Sequence, residues 1–217
     1  MNITLQTATI GASLFAAVLL KAGNPSPATV QESRKAAEIW TASTTAEQSS
    51  DFTAALRQTA AWRQAGGDLY VATLRSAWLY YRSGDYTKAA EFYHLATTQQ
   101  PAALTPVLGL LATAQAMNDG AKIQVAAERV LKLEPGNYKA LMALAGYGYA
   151  TGDYRKSRGC YLRVLGSYPE DTDALSGAAW CAFQLGDRRE AQRAFQRIAS
   201  MNPDYPFVQE GLALAAR

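Results

Sequence analysis

The sequence predicts an all-α chain built as a solenoid of helix–turn–helix units, and three observations predict it. The stretch RSGDYTKAAEFYHLATTQQP at 82–101 returns in outline as ATGDYRKSRGCYLRVLGSYP at 150–169. Laid out at a period of 34, Gly84, Asn118, Gly152 and Gly186 share a column, and Asp85, Asp119, Asp153 and Asp187 share the next. Each block closes on a proline (Pro101, Pro135, Pro169, Pro203), with no insertion or deletion in four units. A repeat of this length is one supersecondary unit that cannot bury its apolar face alone and must stack on its neighbours.

Each column has a physical reason. Gly or Asn suits a residue that takes positive φ where one helix ends and the chain turns. The Asp that follows can cap the next helix by accepting a backbone N–H. Within that helix, the column Ala89, Ile123, Ser157, Ala191 lies four residues before Tyr93, Ala127, Tyr161, Phe195. That spacing shares a face, where a small residue lets helices approach and an aromatic fills the space beyond. Proline then stops the helix. In the first helix of each unit, Ala77, Leu111, Ala145 and Ala179 form the close-contact column.

The units so defined are residues 70–103, 104–137, 138–171 and 172–205. One period upstream, Ser50, Asp51 and Phe52 fall on the turn columns, so residues 29–69 read as a degenerate unit. Its second helix is expected over 51–65 and its first within 29–47, although TASTTAEQSS at 41–50 reads more as a polar loop. Residues 206–217 read as a single closing helix that caps the last unit. Residues 1–28 differ from the rest, with IGASLFAAVLL at 10–20 followed by breakers and small residues at a cleavage spacing. This segment is too short to span a bilayer and resembles a secretory leader, although no Lys or Arg precedes it. The expectation is an exported chain, periplasmic or extracellular. The alternative is a cytoplasmic chain that keeps the segment as a buried helix.

The pattern resembles the tetratricopeptide repeat family, whose unit carries Trp, Leu-Gly, Tyr, then Ala, Phe and Pro at these offsets. The resemblance covers residues 70–203, with Thr73, Val107, Leu141 and Leu175 in the Trp column and Asn118-Asp119-Gly120 in place of one Gly-Asp-Tyr. It implies a right-handed superhelical solenoid with the first helices on its concave side. Leu74, Trp78 and Tyr81 share one face of the first such helix, distinct from the packing face of Thr73, Ala77 and Tyr80. The equivalent positions in later units are Leu108, Ala112 and Gln115, then Met142, Gly146 and Tyr149, then Ser176, Trp180 and Phe183. Small residues between tryptophans describe an apolar notch for an apolar or aromatic peptide segment, with internal packing left to Ala77 and Ala179. Members that hold acidic chaperone tails use Lys, Arg and Asn on this surface. Here the corresponding rows offer only Lys139 and Asp173, so that partner is not expected.

Composition narrows the function further. The chain has 217 residues, 49% hydrophobic and 18% charged, with a net charge of +3 and charges of both signs interspersed. No basic face marks a nucleic-acid partner. Cys160 and Cys181 are too few for a disulfide scaffold or a four-ligand zinc site, and His94 is the only histidine. No catalytic residue, cofactor or metal is expected. The sequence therefore reads as a non-enzymatic scaffold that binds a protein or peptide. The rivals are a structural homo-oligomer, and a groove filled by the chain's own N-terminal residues with the partner on another face.

Overall fold

The structure, a computed structural model, describes residues 27–216. Of the expected leader, residues 1–28, only the last two fall among them. The described residues form eleven helices and no strand. In chain order they are α1 (Pro27–Gln48), α2 (Phe52–Gln64), α3 (Leu69–Ser83), α4 (Tyr86–Gln99), α5 (Leu104–Ala116), α6 (Gly120–Leu133), α7 (Tyr138–Ala150), α8 (Tyr154–Ser167), α9 (Thr172–Gln184), α10 (Arg188–Met201) and α11 (Val208–Ala215). They are organised as two compact units, one ending at Gly109 and the other beginning at Leu110.

The turn columns do what their chemistry requires. Ser50, Gly84, Asn118, Gly152 and Gly186 all have positive φ, between 52° and 84°. The aspartates that follow, Asp51, Asp85, Asp119, Asp153 and Asp187, each accept a backbone N–H three residues on. The same geometry thus recurs at a spacing of 34 through five helix pairs.

The packing columns are buried. Thr73, Val107, Leu141 and Leu175 are at most 6% exposed, and Ala77, Leu111, Ala145 and Ala179 at most 2%. A second regularity couples consecutive pairs. In the N-terminal unit, the Tyr93 ring of α4 lies where a Cβ on Gly109 of α5 would stand. In the C-terminal unit, Tyr161 of α8 does the same at Gly177 of α9, and Phe195 of α10 at Gly211 of α11. Each ring fits because its partner has no side chain. Arg163 and Arg197, 34 apart, donate to the carbonyls of Pro135 and Pro169 at 2.5 and 2.9 Å, tying each second helix to the preceding turn.

The first pair departs from the sequence expectation. Residues 41–48, expected as polar loop, continue α1 as helix to Gln48. The reason lies in where the polar side chains point. Ser43 and Glu47 are four apart and both buried, so the polar stretch has an inward stripe. Ser43 Oγ donates to the Ala55 carbonyl at 3.0 Å and lies 3.0 Å from Thr59 Oγ1 of α2. Thr59 and Arg75 occupy the aromatic and glycine columns of the later units, as 59 + 34 = 93 and 75 + 34 = 109. Where three of those units insert a ring against a glycine, and the fourth sets Ala127 and Ala143 in these columns, this one buries a hydroxyl network and a guanidinium.

Candidate functional site

In the N-terminal unit, Leu74, Trp78, Tyr81 and Leu108 are all half-buried, as expected for a face that is neither core nor fully solvated. Trp78 and Tyr81 stack with centroids 6.0 Å apart, and the Arg82 guanidinium lies 5.5 Å from the Trp78 ring centre. This face is already engaged by the chain itself. Trp78 Nε1 donates to Glu47 Oε1 at 2.7 Å, and Glu47 pairs with Arg75 at 2.5 Å and with Arg82 at 3.3 Å. Glu47 and Arg75 are 6% and 4% exposed, so the carboxylate is a buried hub for two cations and an indole. The sequence signal was present in Arg75, a charge in a column of small residues.

In the C-terminal unit, Ala112, Met142, Tyr149, Trp180 and Phe183 are half-buried, and Gly146 is exposed with no atom within 4 Å of a Cβ placed on it. Two of them, Tyr149 and Trp180, border a cleft of about 420 Å³, which Ala112, Met142, Gly146 and Phe183 do not line. Its walls are Tyr149 of α7 and Trp180 of α9, and Tyr161 of α8 and Gly177 meet in its lining. Asp173, Ser176 and Glu210 supply the polar edge. Trp180 is anchored from behind, edge-on to Phe195 at 5.0 Å and to Phe183 at 6.0 Å. It therefore serves both the packed interior and the open face, a dual use that assigning internal packing to Ala179 alone does not anticipate. Asp173 Oδ1 accepts a hydrogen bond from the Tyr205 hydroxyl at 2.6 Å.

Tyr161, Gly177 and Glu210 are the cleft residues that the face reading omits. Tyr161 stands in the packing column of the second helices, and its phenol is pushed up to about 12 chiefly by burial, with nearby Cys181 and Tyr149 adding to it. Glu210 was legible in principle, because 176 + 34 = 210 puts it in the row of Leu108, Met142 and Ser176.

Cys160 and Cys181 are free and buried, and burial pushes both thiols above the ordinary cysteine value. Cys181 Sγ donates to Ser157 Oγ at 3.2 Å, a packing role. His94 is exposed, with Nδ1 3.3 Å from Thr97 Oγ1. Among the described residues no group of His, Cys, Asp and Glu is placed to hold a metal ion, and no helix is long and apolar enough to cross a membrane.

Two family models, both described as tetratricopeptide repeat, match residues 119–171 and 147–206, and residues 72–102. The crystal structure of MamA protein superimposes with a TM-score of 0.66 at 16% identity, covering 79% of this chain and 95% of that one. MamA 41-end from Desulfovibrio magneticus RS-1 gives 0.67 at 14% identity, covering 79% and 97%. A tetratricopeptide repeat protein from Parabacteroides merdae ATCC 43184 gives 0.56 at 15% identity and covers 99% of this chain and 96% of that one. At such identities the likeness is one of fold. No curated protein matches the sequence.

Proposed function

Because this chain belongs to the tetratricopeptide repeat family, we propose that it is a non-enzymatic scaffold for protein–protein interaction, holding an apolar or aromatic peptide segment on the first-helix faces of its repeats. On the C-terminal unit the contact residues are Ala112, Met142, Gly146, Tyr149, Trp180 and Phe183. On the N-terminal unit they are Leu74, Trp78, Tyr81 and Leu108. The observation that carries the reading is the open cleft walled by Tyr149 and Trp180, with Gly146 exposed on α7 nearby in the sequence. Aromatic residues fixed by packing on one side and open on the other are the usual anchors of interfaces.

A second reading applies to the N-terminal unit alone. There the Trp78 N–H is satisfied by Glu47 of the same chain, which supports a face filled by the chain's own helix α1. The reading of the C-terminal face is tested by site-specific photo-crosslinking in the native host. A crosslinker replacing Met142, on α7, is expected to capture a defined partner, and one replacing Leu162, an exposed residue of the second helix α8, is not. Capture from Leu162 and not Met142 would move the interaction to the other face.

A further inference from the structure

We infer that the cleft of the C-terminal unit seats a cationic side chain, an arginine guanidinium above all, presented by the protein segment that docks there. This rests on the reading of that face as protein-binding and names the partner's chemistry more narrowly than an apolar segment does. The lining combines three aromatic rings, Tyr149, Tyr161 and Trp180, with two carboxylates, Asp173 and Glu210, and includes no Lys or Arg. That is notable in a chain whose net charge is +3. A purely apolar segment covering this cleft would strip water from both carboxylates and supply no donor in its place, which is costly. A guanidinium removes the penalty. It stacks on indole and phenol faces, and its planar fork donates to carboxylates.

The geometry is prepared for such a guest. Trp180 is held by its edge contact to Phe195. Asp173 is oriented by the Tyr205 hydroxyl at 2.6 Å. Glu210 lies in the first turn of α11, so the second carboxylate is carried by a different element from the first. The cleft, about 420 Å³, has room for a long side chain and part of its neighbours.

The test uses the full chain and a matched set of short fluorescein-labelled peptides of apolar and aromatic residues. Their single central residue is arginine, citrulline, lysine or glutamate. Anisotropy titration is expected to show the arginine peptide binding about tenfold or more tighter than its citrulline match, the scale of a charge-assisted contact. The glutamate peptide should be the weakest. The double variant D173N/E210Q is expected to bind arginine and citrulline peptides alike. E210Q alone, at an exposed position, should lose part of the preference and guards against a folding defect in the double variant. Equal affinity for arginine and citrulline in the parent overturns the inference while leaving the protein-binding reading intact, as does a preference that survives the double substitution. Failure of every peptide also overturns it, and the broader reading then stands or falls by crosslinking at Met142.

Discussion

A glycine under an aromatic ring and a glycine facing open space should respond oppositely to the same methyl group. At Gly177 a Cβ would occupy the position of the Tyr161 ring, and at Gly146 it would meet nothing within 4 Å. Gly177→Ala is therefore expected to destabilise by about 1–3 kcal/mol through overpacking. Gly146→Ala should stabilise by up to about 1 kcal/mol through helix propensity. Thermal or urea melts of the two variants check the signs. The tyrosines add a pH signature. Tyr161, Tyr138 and Tyr205 are all pushed up to about 12, mainly by burial, from an ordinary value near 10. The neutral phenol is the form the fold favours, so this stabilisation is complete below about pH 10 and is lost as pH rises through about 12. Tyrosinate absorbance and circular dichroism followed together should change in that window, and stability constant across it would contradict the assignment. The residues that could be read from sequence were those whose role is local: a turn residue with positive φ, a capping aspartate, a small residue at a close contact. Trp180 was half legible, because its spacing gives its face but not the ring of Phe195 behind it.

At the scale of the helix, what the sequence concealed was a polar core in the first pair. Composition made residues 41–50 look like loop because hydroxyls and a carboxylate usually seek water. The structure turns Ser43 and Glu47 inward, where Thr59 and Arg75 complete their hydrogen bonds. Only a partner distant in sequence could reveal that, and periodicity within α1 alone does not. A buried ion pair contributes little relative to apolar packing, but removing one member leaves the other charge stranded. Glu47→Ala is thus expected to cost about 3–5 kcal/mol, a large share of the stability of a domain this size. Glu47→Gln should cost less, since it retains an acceptor for the Trp78 N–H. Denaturant titration measures both, and a loss under about 1 kcal/mol for Glu47→Ala would show that water reaches Arg75. At the other end, α11 covers Phe195 and Ile198, both fully buried. Deleting residues 206–217 exposes that cluster and should lower the melting temperature and promote association. A deletion that melts like the parent and stays monomeric would remove α11 from the cooperative core.

For the molecule as a whole, the repeat was the most legible feature, since four units in register are a long-range signal that no single helix carries. The site was less so, because a face can be read from spacing whereas a cleft depends on how neighbouring helices meet. The central claim is that the first-helix face binds a protein segment. Its most direct test is the affinity of the partner captured at Met142 for Gly146→Leu, compared with the parent and with Gly159→Leu. Gly146 and Gly159 are both exposed helix glycines with nothing within 4 Å of an added Cβ, one on a first helix and one on a second. Both substitutions should leave the melting temperature unchanged or raised, since leucine favours helix over glycine. Gly146→Leu is expected to weaken the partner by about tenfold or more, as a filled contact surface should, while Gly159→Leu binds like the parent. A Gly146→Leu protein that melts and binds like the parent would contradict the account.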